Sequence, residues 1–224
     1  MTIGHRIGGF LRSPARGSLS GSRNQSGQGL VEFALVLPIF LLLLLIMLEF
    51  GIAYNHTLTL GLATREGART GASFGNGDPS TCAQIAADPS LDPDNQIMAG
   101  VQRILVSPGS DVVMSDITQV RIYKADSTGA QIGSFVDTYA YTGNNTGADV
   151  DPGAGVEKIA FTRTSVGWTP CTRNNGGATP DAVGVQIKYN YHLQTALAGI
   201  VGMIHGTQSG TIAINDQTVM VLNP

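Results

Sequence analysis

The 224-residue chain is weakly charged, with 13% Asp, Glu, Lys and Arg, and it is rich in glycine, with 29. Setting Arg6, Arg12, Arg16 and Arg23 aside from its 13 basic residues, and Glu32 and Glu49 from its 16 acids, leaves nine bases against 14 acids, a net of −5. That acidic remainder of roughly 170 residues argues against nucleic acid, which needs basic patches, and it is long enough for one modest domain with its own core.

Residues 1–27 are rich in Gly, Ser and Arg without hydrophobic periodicity, and read as a flexible leader. The stretch from Phe33 to Leu48 then carries no charge, and Phe50 to Tyr54 prolongs it past Glu49. At ~1.5 Å per residue, about 20 such residues cross a ~30 Å hydrocarbon layer. Four arginines before the span and an acidic remainder after it predict a cytoplasmic N-terminus and an exported C-terminal part. Glu32 and Glu49 lie at the two edges, where a carboxylate reaches an interface. Pro38 removes one backbone donor and predicts a slight bend. A cleaved secretory signal is the competing reading, through the small-x-small pattern Gly51-Ile52-Ala53. The apolar run is long for such a signal, and Glu49 sits just before that cut.

From Tyr54 to Ser73 the pattern stays helical. Tyr54, Leu58 and Leu62 share one face, and Ala63, Gly67 and Gly71 form a small-residue seam that admits either a partner helix or the chain's own domain. The stretch from Phe74 to Asp94 is dense in Gly, Pro, Asp and Asn and reads as a loop. Ile97 to Val106 has helical spacing, stopped by Pro108-Gly109. Ile117–Tyr123 and Ile132–Tyr141 alternate around Ser127-Thr128-Gly129 as a hairpin. Gly143–Gly155 reads as a loop, Val156–Trp168 contains a strand, and Val183–Tyr191 is the cleanest strand of all. Leu193–Ile204 is apolar but too short to span, and Thr211–Leu222 closes the sheet. The resulting division is a leader 1–27, a transmembrane and extended helix 28–73, a loop 74–99 and an exported domain 100–224. The fold class is α+β, a long N-terminal transmembrane helix continuing into a small antiparallel sheet.

Nothing in the sequence assembles a catalytic centre, a metal cage or a cofactor site. His5, His56, His192 and His205 are scattered, and no GxSxG, HExxH or phosphate-binding glycine loop occurs. Asp92-Pro93-Asp94 and Asp149-Val150-Asp151 lack the spacing of a calcium loop and read as solvated turns. Cys82 and Cys171 both lie beyond the span; in an oxidising compartment such a pair most simply forms one disulfide, with two free thiols as the alternative.

Gly27-Gln28-Gly29-Leu30-Val31-Glu32-Phe33, running directly into the apolar helix, resembles the processing region of type IV prepilins. More closely, GQGLVEFALVLPIFLLLLLIMLEFG resembles the TadE-like family of pseudopilins from tight-adherence (Flp-type) pilus systems. Ala63-Thr64-Arg65-Glu66-Gly67-Ala68-Arg69 is similar to that family's AxREGAR stretch. The ending Gln217–Pro224 is similar to its C-terminal strand, with Val221 and Asn223 where Arg and Glu are common. The resemblance implies cleavage between Gly27 and Gln28 by a prepilin peptidase, with Glu32 as the fifth mature residue and Phe33 where Tyr is frequent. It implies an assembly role for Glu32 and Phe33, and a non-enzymatic subunit of the inner membrane. The implied partners are the peptidase, the major Flp-type pilin, a sister pseudopilin, the inner-membrane assembly platform and the lipid bilayer. The physical sense is direct: glycine offers no side chain to hinder a peptidase, and an acid inside an apolar helix calls for a partner. A signal-anchored exported domain with a binding or hydrolytic role unrelated to pili is the alternative.

Overall fold

The computed structural model describes residues 26–74, 79–143, 149–150, 157–176, 179–199 and 210–222. In chain order the elements are α1 (Ser26–Phe74), α2 (Pro79–Ala87), α3 (Pro93–Leu105), β1 (Ile117–Ala125), β2 (Gln131–Tyr141), β3 (Asp149–Val150), β4 (Glu157–Lys158), β5 (Phe161–Ser165), β6 (Ala182–His192) and β7 (Thr211–Val221). The chain divides into two compact units, Met1–Leu43 and Leu44–Pro224, and α1 contributes to both.

In the first unit α1 has no buried face. Leu30, Phe33, Leu35 and Val36 point to different sides and all stand exposed, the pattern of a helix solvated by lipid. Among the described residues α1 is the one helix long and apolar enough to cross a membrane, with a mean hydropathy of 2.9 over its most apolar 18-residue stretch. Pro38 lies inside it.

In the second unit, α1 from Glu49 onward lies with α3 against one face of a five-stranded antiparallel sheet of order β5-β2-β1-β6-β7. Alternation along β6 turns Val183, Val185, Ile187, Tyr189 and Tyr191 into the core, all at most 1% exposed. The opposite face carries the polar ladder of Arg121, Gln186 and Gln217 and is solvated. β1 and β2 form the expected hairpin, closed by Asp126, whose side chain accepts from the backbone of Thr128 and Ala130 while Gly129 takes φ 85°.

The small-residue seam of α1 serves the chain's own domain. A Cβ at Gly67 meets Val101 at 2.6 Å and Val185 at 3.2 Å, and one at Gly71 meets Ile97 at 2.9 Å. The two glycines thus let α3 and β6 approach the helix together. Tyr54, Leu58 and Leu62 occupy the exposed face. Gly67→Ala is expected to destabilise the domain by about 1–3 kcal/mol, the usual cost of overpacking, despite alanine's better helix propensity. Denaturant titration of the full chain in micelles measures this, and an unchanged midpoint shows that Val101 yields freely.

The segment 74–99 departs from the loop expected of it. Residues 79–87 and 93–105 are helical, so its proline density marks helix starts rather than a long turn. Pro79 and Pro93 each occupy the first helical position, where a missing N–H costs nothing. Asp92 caps α3, accepting from the backbone N–H of Asp94 at 2.9 Å. The second unit also begins at Leu44, so most of the long helix belongs to the domain it was set apart from.

Candidate functional site on the N-terminal helix

Gly27, Gln28, Glu32 and Phe33 all lie on the first turns of α1, in the first unit, and all are exposed. A Cβ added at Gly27 or Gly29 meets nothing within 4 Å, so the backbone there is open from the side. Gln28 and Glu32 stand at i and i+4, on one face of the helix, about 6 Å apart along its axis. A carboxylate so placed is one turn from any amine generated at residue 28.

Glu49, read from the sequence as a group at the membrane edge, is turned inward and is only 6% exposed. Its carboxylate accepts from the backbone N–H of Gln194 and of Thr195, each at 2.9 Å, and from the Tyr191 hydroxyl. The chain leaving β6 has backbone donors without a ladder partner, and Glu49 satisfies two of them. Burial and the neighbouring Glu49 carboxylate push the Tyr191 phenol well above its ordinary pKa, so it stays a donor. Two turns of helix further, His56 is buried, with Nδ1 3.1 Å from the Tyr189 hydroxyl and its ring edge-on to Tyr191 at 5.0 Å. This row ties α1 to the end of β6.

The AxREGAR stretch divides by the same logic. Ala63, Thr64, Gly67 and Ala68 are buried, and the Thr64 hydroxyl donates to Asp216 of β7 at 2.7 Å. Arg65 and Arg69 are exposed, and Arg69 forms a two-pronged pair with Glu66 at 2.6 and 2.9 Å. Small residues therefore seat the helix on the sheet while the arginines face outward.

A buried charged cluster holds the far side of the domain. Asp92 and Asp94, read from the sequence as a solvated turn, are 6% and 0% exposed. Arg173 donates to Asp94 at 2.6 Å and lies 4.4 Å over the Trp168 ring. Arg163 donates to Asp92 at 2.7 Å and to the Tyr139 hydroxyl at 2.8 Å. Asp137 accepts from the backbone N–H of Gly167 and Trp168 at 2.6 and 3.0 Å. Charged residues this deep escape sequence reading because their partners lie 79 and 71 positions away. The disulfide between Cys82 of α2 and Cys171, two residues before Arg173, pins the loop between β5 and β6, with a sequence separation of 89. Replacing both cysteines by serine is expected to lower stability by about 2–4 kcal/mol through the freed unfolded chain. Thermal unfolding of the double variant tests this, and an unchanged transition removes the disulfide from the account.

The family model described as TadE-like protein matches residues 27–69. The match begins at the open glycine and ends on Arg69, the last residue of the AxREGAR stretch, before α2 and the sheet. No curated protein and no solved structure matches the chain. The helix that carries the open glycine, the adjacent acid, the apolar run and the seated AxREGAR residues is thus similar, from residue 27 to residue 69, to the TadE-like family.

Proposed function

We propose that this chain is a non-catalytic, pseudopilin-like subunit that acts in assembly of a tight-adherence (Flp-type) pilus, and through it in adhesion or secretion. The observation that carries the reading is the TadE-like match, which begins at Gly27 and takes in Glu32, the apolar helix and the arginine-bearing stretch. In this reading a prepilin peptidase cuts between Gly27 and Gln28, the leader stays cytoplasmic and the C-terminal domain is exported. Glu32 then meets the new amine of a neighbouring subunit, and Phe33 packs beside it among the apolar helices of the major pilin or a sister pseudopilin. The inner-membrane platform receives the subunit, and its arginine-free apolar run holds it in the bilayer until then.

Mass analysis of the mature N-terminus, on protein recovered from cells with the cognate peptidase, tests the reading. A chain beginning at Gln28, free or methylated, is the expected result. A chain retaining residues 1–27 overturns it in favour of a signal-anchored domain.

A further inference from the structure

The connection from β6 to β7, residues 193–210, contains no Asp, Glu, Lys or Arg. Its described part lies at one end of the sheet, next to the point where the apolar run of α1 stops. The Glu49 carboxylate fixes that placement through its hydrogen bonds to the backbone of Gln194 and Thr195. Helix side chains lean toward the N-terminus, so this carboxylate reaches back over the turn of Leu45 and Ile46. Leu45, on the same face as Glu49, is half-buried, while Leu44, Ile46, Met47 and Leu48 remain exposed.

We propose that the segment from Leu193 to Gly199 is a membrane-surface contact, seated at the boundary between headgroups and acyl chains beside the emerging helix. Ala196 and Gly199 are exposed, Leu193, Leu197 and Ala198 are half-buried, and the segment carries no charge to hydrate. Leu193 is held in place by its backbone N–H, which donates to the Gly210 carbonyl at 2.9 Å. Ile212, 49% exposed and opposite Tyr191 in the ladder, adds an apolar side chain at the same end. Asp111, hydrogen-bonded to Asn55, and Asp116, 3.6 Å from His192, are the other acids at this end, on the chain that leads into β1 rather than on the segment itself. At the far end of the sheet Lys124 pairs with Asp181 at 2.7 Å and the hairpin turn carries Asp126. An 11-residue strand separates the two ends by about 33 Å. The segment from Leu193 to Gly199 therefore meets the lipid that the last turns of the span also meet, and the far end of the sheet points into water. The occupant is the bilayer itself because the contact continues the face of an apolar helix already solvated by lipid.

The inference rests on the membrane-anchor reading of α1, and the test separates the two. In the full chain, whose native cysteines are joined, single cysteines at Ala196, Leu197, Ser127 and Phe40 are labelled in turn with an environment-sensitive fluorophore. Each protein is reconstituted into phosphatidylcholine–phosphatidylglycerol vesicles, with lipids brominated near the glycerol or near the chain end. Retention of the native thermal transition qualifies each labelled chain. Shallow bromines are expected to remove roughly half the emission at Ala196 and Leu197, as for a group within the ~5–10 Å interfacial layer. Deep bromines are expected to quench Phe40, and neither lipid Ser127. Quenching at Phe40 with none at Ala196 and Leu197 overturns the surface contact and keeps the anchor. No quenching at Phe40 overturns the anchor and the contact with it. Emission at Ala196 that is indifferent to bromine but shifts on tenfold dilution with lipid assigns the segment to a second copy, and overturns the proposal.

Discussion

Arg173→Ala is expected to cost the C-terminal domain about 3–5 kcal/mol, the loss found when one partner of a buried ion pair is removed and the other stays charged. Arg173 is 2% exposed, and its guanidinium lies between the Asp94 carboxylate, the Asp137 carboxylate 3.7 Å away and the Trp168 ring. Its removal leaves two fully buried acids, with Arg163 reaching only Asp94, at 3.4 Å. The loss depends on pH in a stated direction. Burial holds the Asp94 carboxyl up to about 6, against the pull of Arg173. The folded chain therefore binds that proton more tightly than the unfolded chain does. This group's favourable contribution is full below about pH 4 and is lost as pH rises through about 6. Without Arg173 the carboxyl climbs further, because the strongest force holding it charged is gone. The deficit relative to the parent should then be larger near pH 8 than near pH 5, where a protonated Asp94 is tolerated. Trp168, the single tryptophan and 2% exposed, reports unfolding in urea titrations of the full chain in micelles. Equal deficits at the two pH values, or a loss below about 1 kcal/mol, remove the ion pair as the element that holds the loop.

What the sequence discloses follows from how locally each feature is encoded. The apolar run, the hairpin and the alternation of β6 are written in consecutive residues, and the structure reproduces them as α1, β1–β2 and the core strand. The seam of Ala63, Gly67 and Gly71 was legible as a close-approach surface, but not what approaches it, since Val101 and Val185 lie far along the chain. Asp92-Pro93-Asp94 misleads because turn chemistry and helix-start chemistry use the same residues. Asp92 caps α3, and Asp94 is drawn into the core by Arg173, a contact that no window of sequence contains. Glu49 is only half legible for a related reason. An acid after an apolar run marks the end of the span, but not that the unladdered backbone at Gln194 and Thr195 turns its side chain inward. Glu32 has no such claim on it, for it stands exposed on the first-unit part of α1, which has no buried face.

That difference between the two glutamates makes Gly27 and Glu32 separable by substitution. Gly27→Leu fills the open side of the backbone at the proposed cut, where a Cβ alone now meets nothing within 4 Å. The prepilin peptidase is expected to fail on it, leaving the 27-residue leader attached and the subunit without a free amine for assembly. Glu32→Gln leaves that backbone as it is and removes only the charge. Cleavage should survive this change, while incorporation or pilus number falls severely, because the carboxylate's proposed partner belongs to the chain produced by the cut. The placement of Gln28 and Glu32 one turn apart on one face adds a refinement. Glu32→Asp keeps the charge but, shorter by one methylene, withdraws it toward its own backbone. With the amine on a neighbouring chain, the shorter reach should reduce pili. All three proteins should insert normally, since the apolar run that drives insertion is unchanged. Gel mobility of the variants beside a pilus count, in cells carrying the cognate peptidase, reads every arm. Normal trimming of Gly27→Leu places the cut elsewhere, and normal pili with Glu32→Gln reduce the glutamate to an exposed polar residue on a lipid-facing helix.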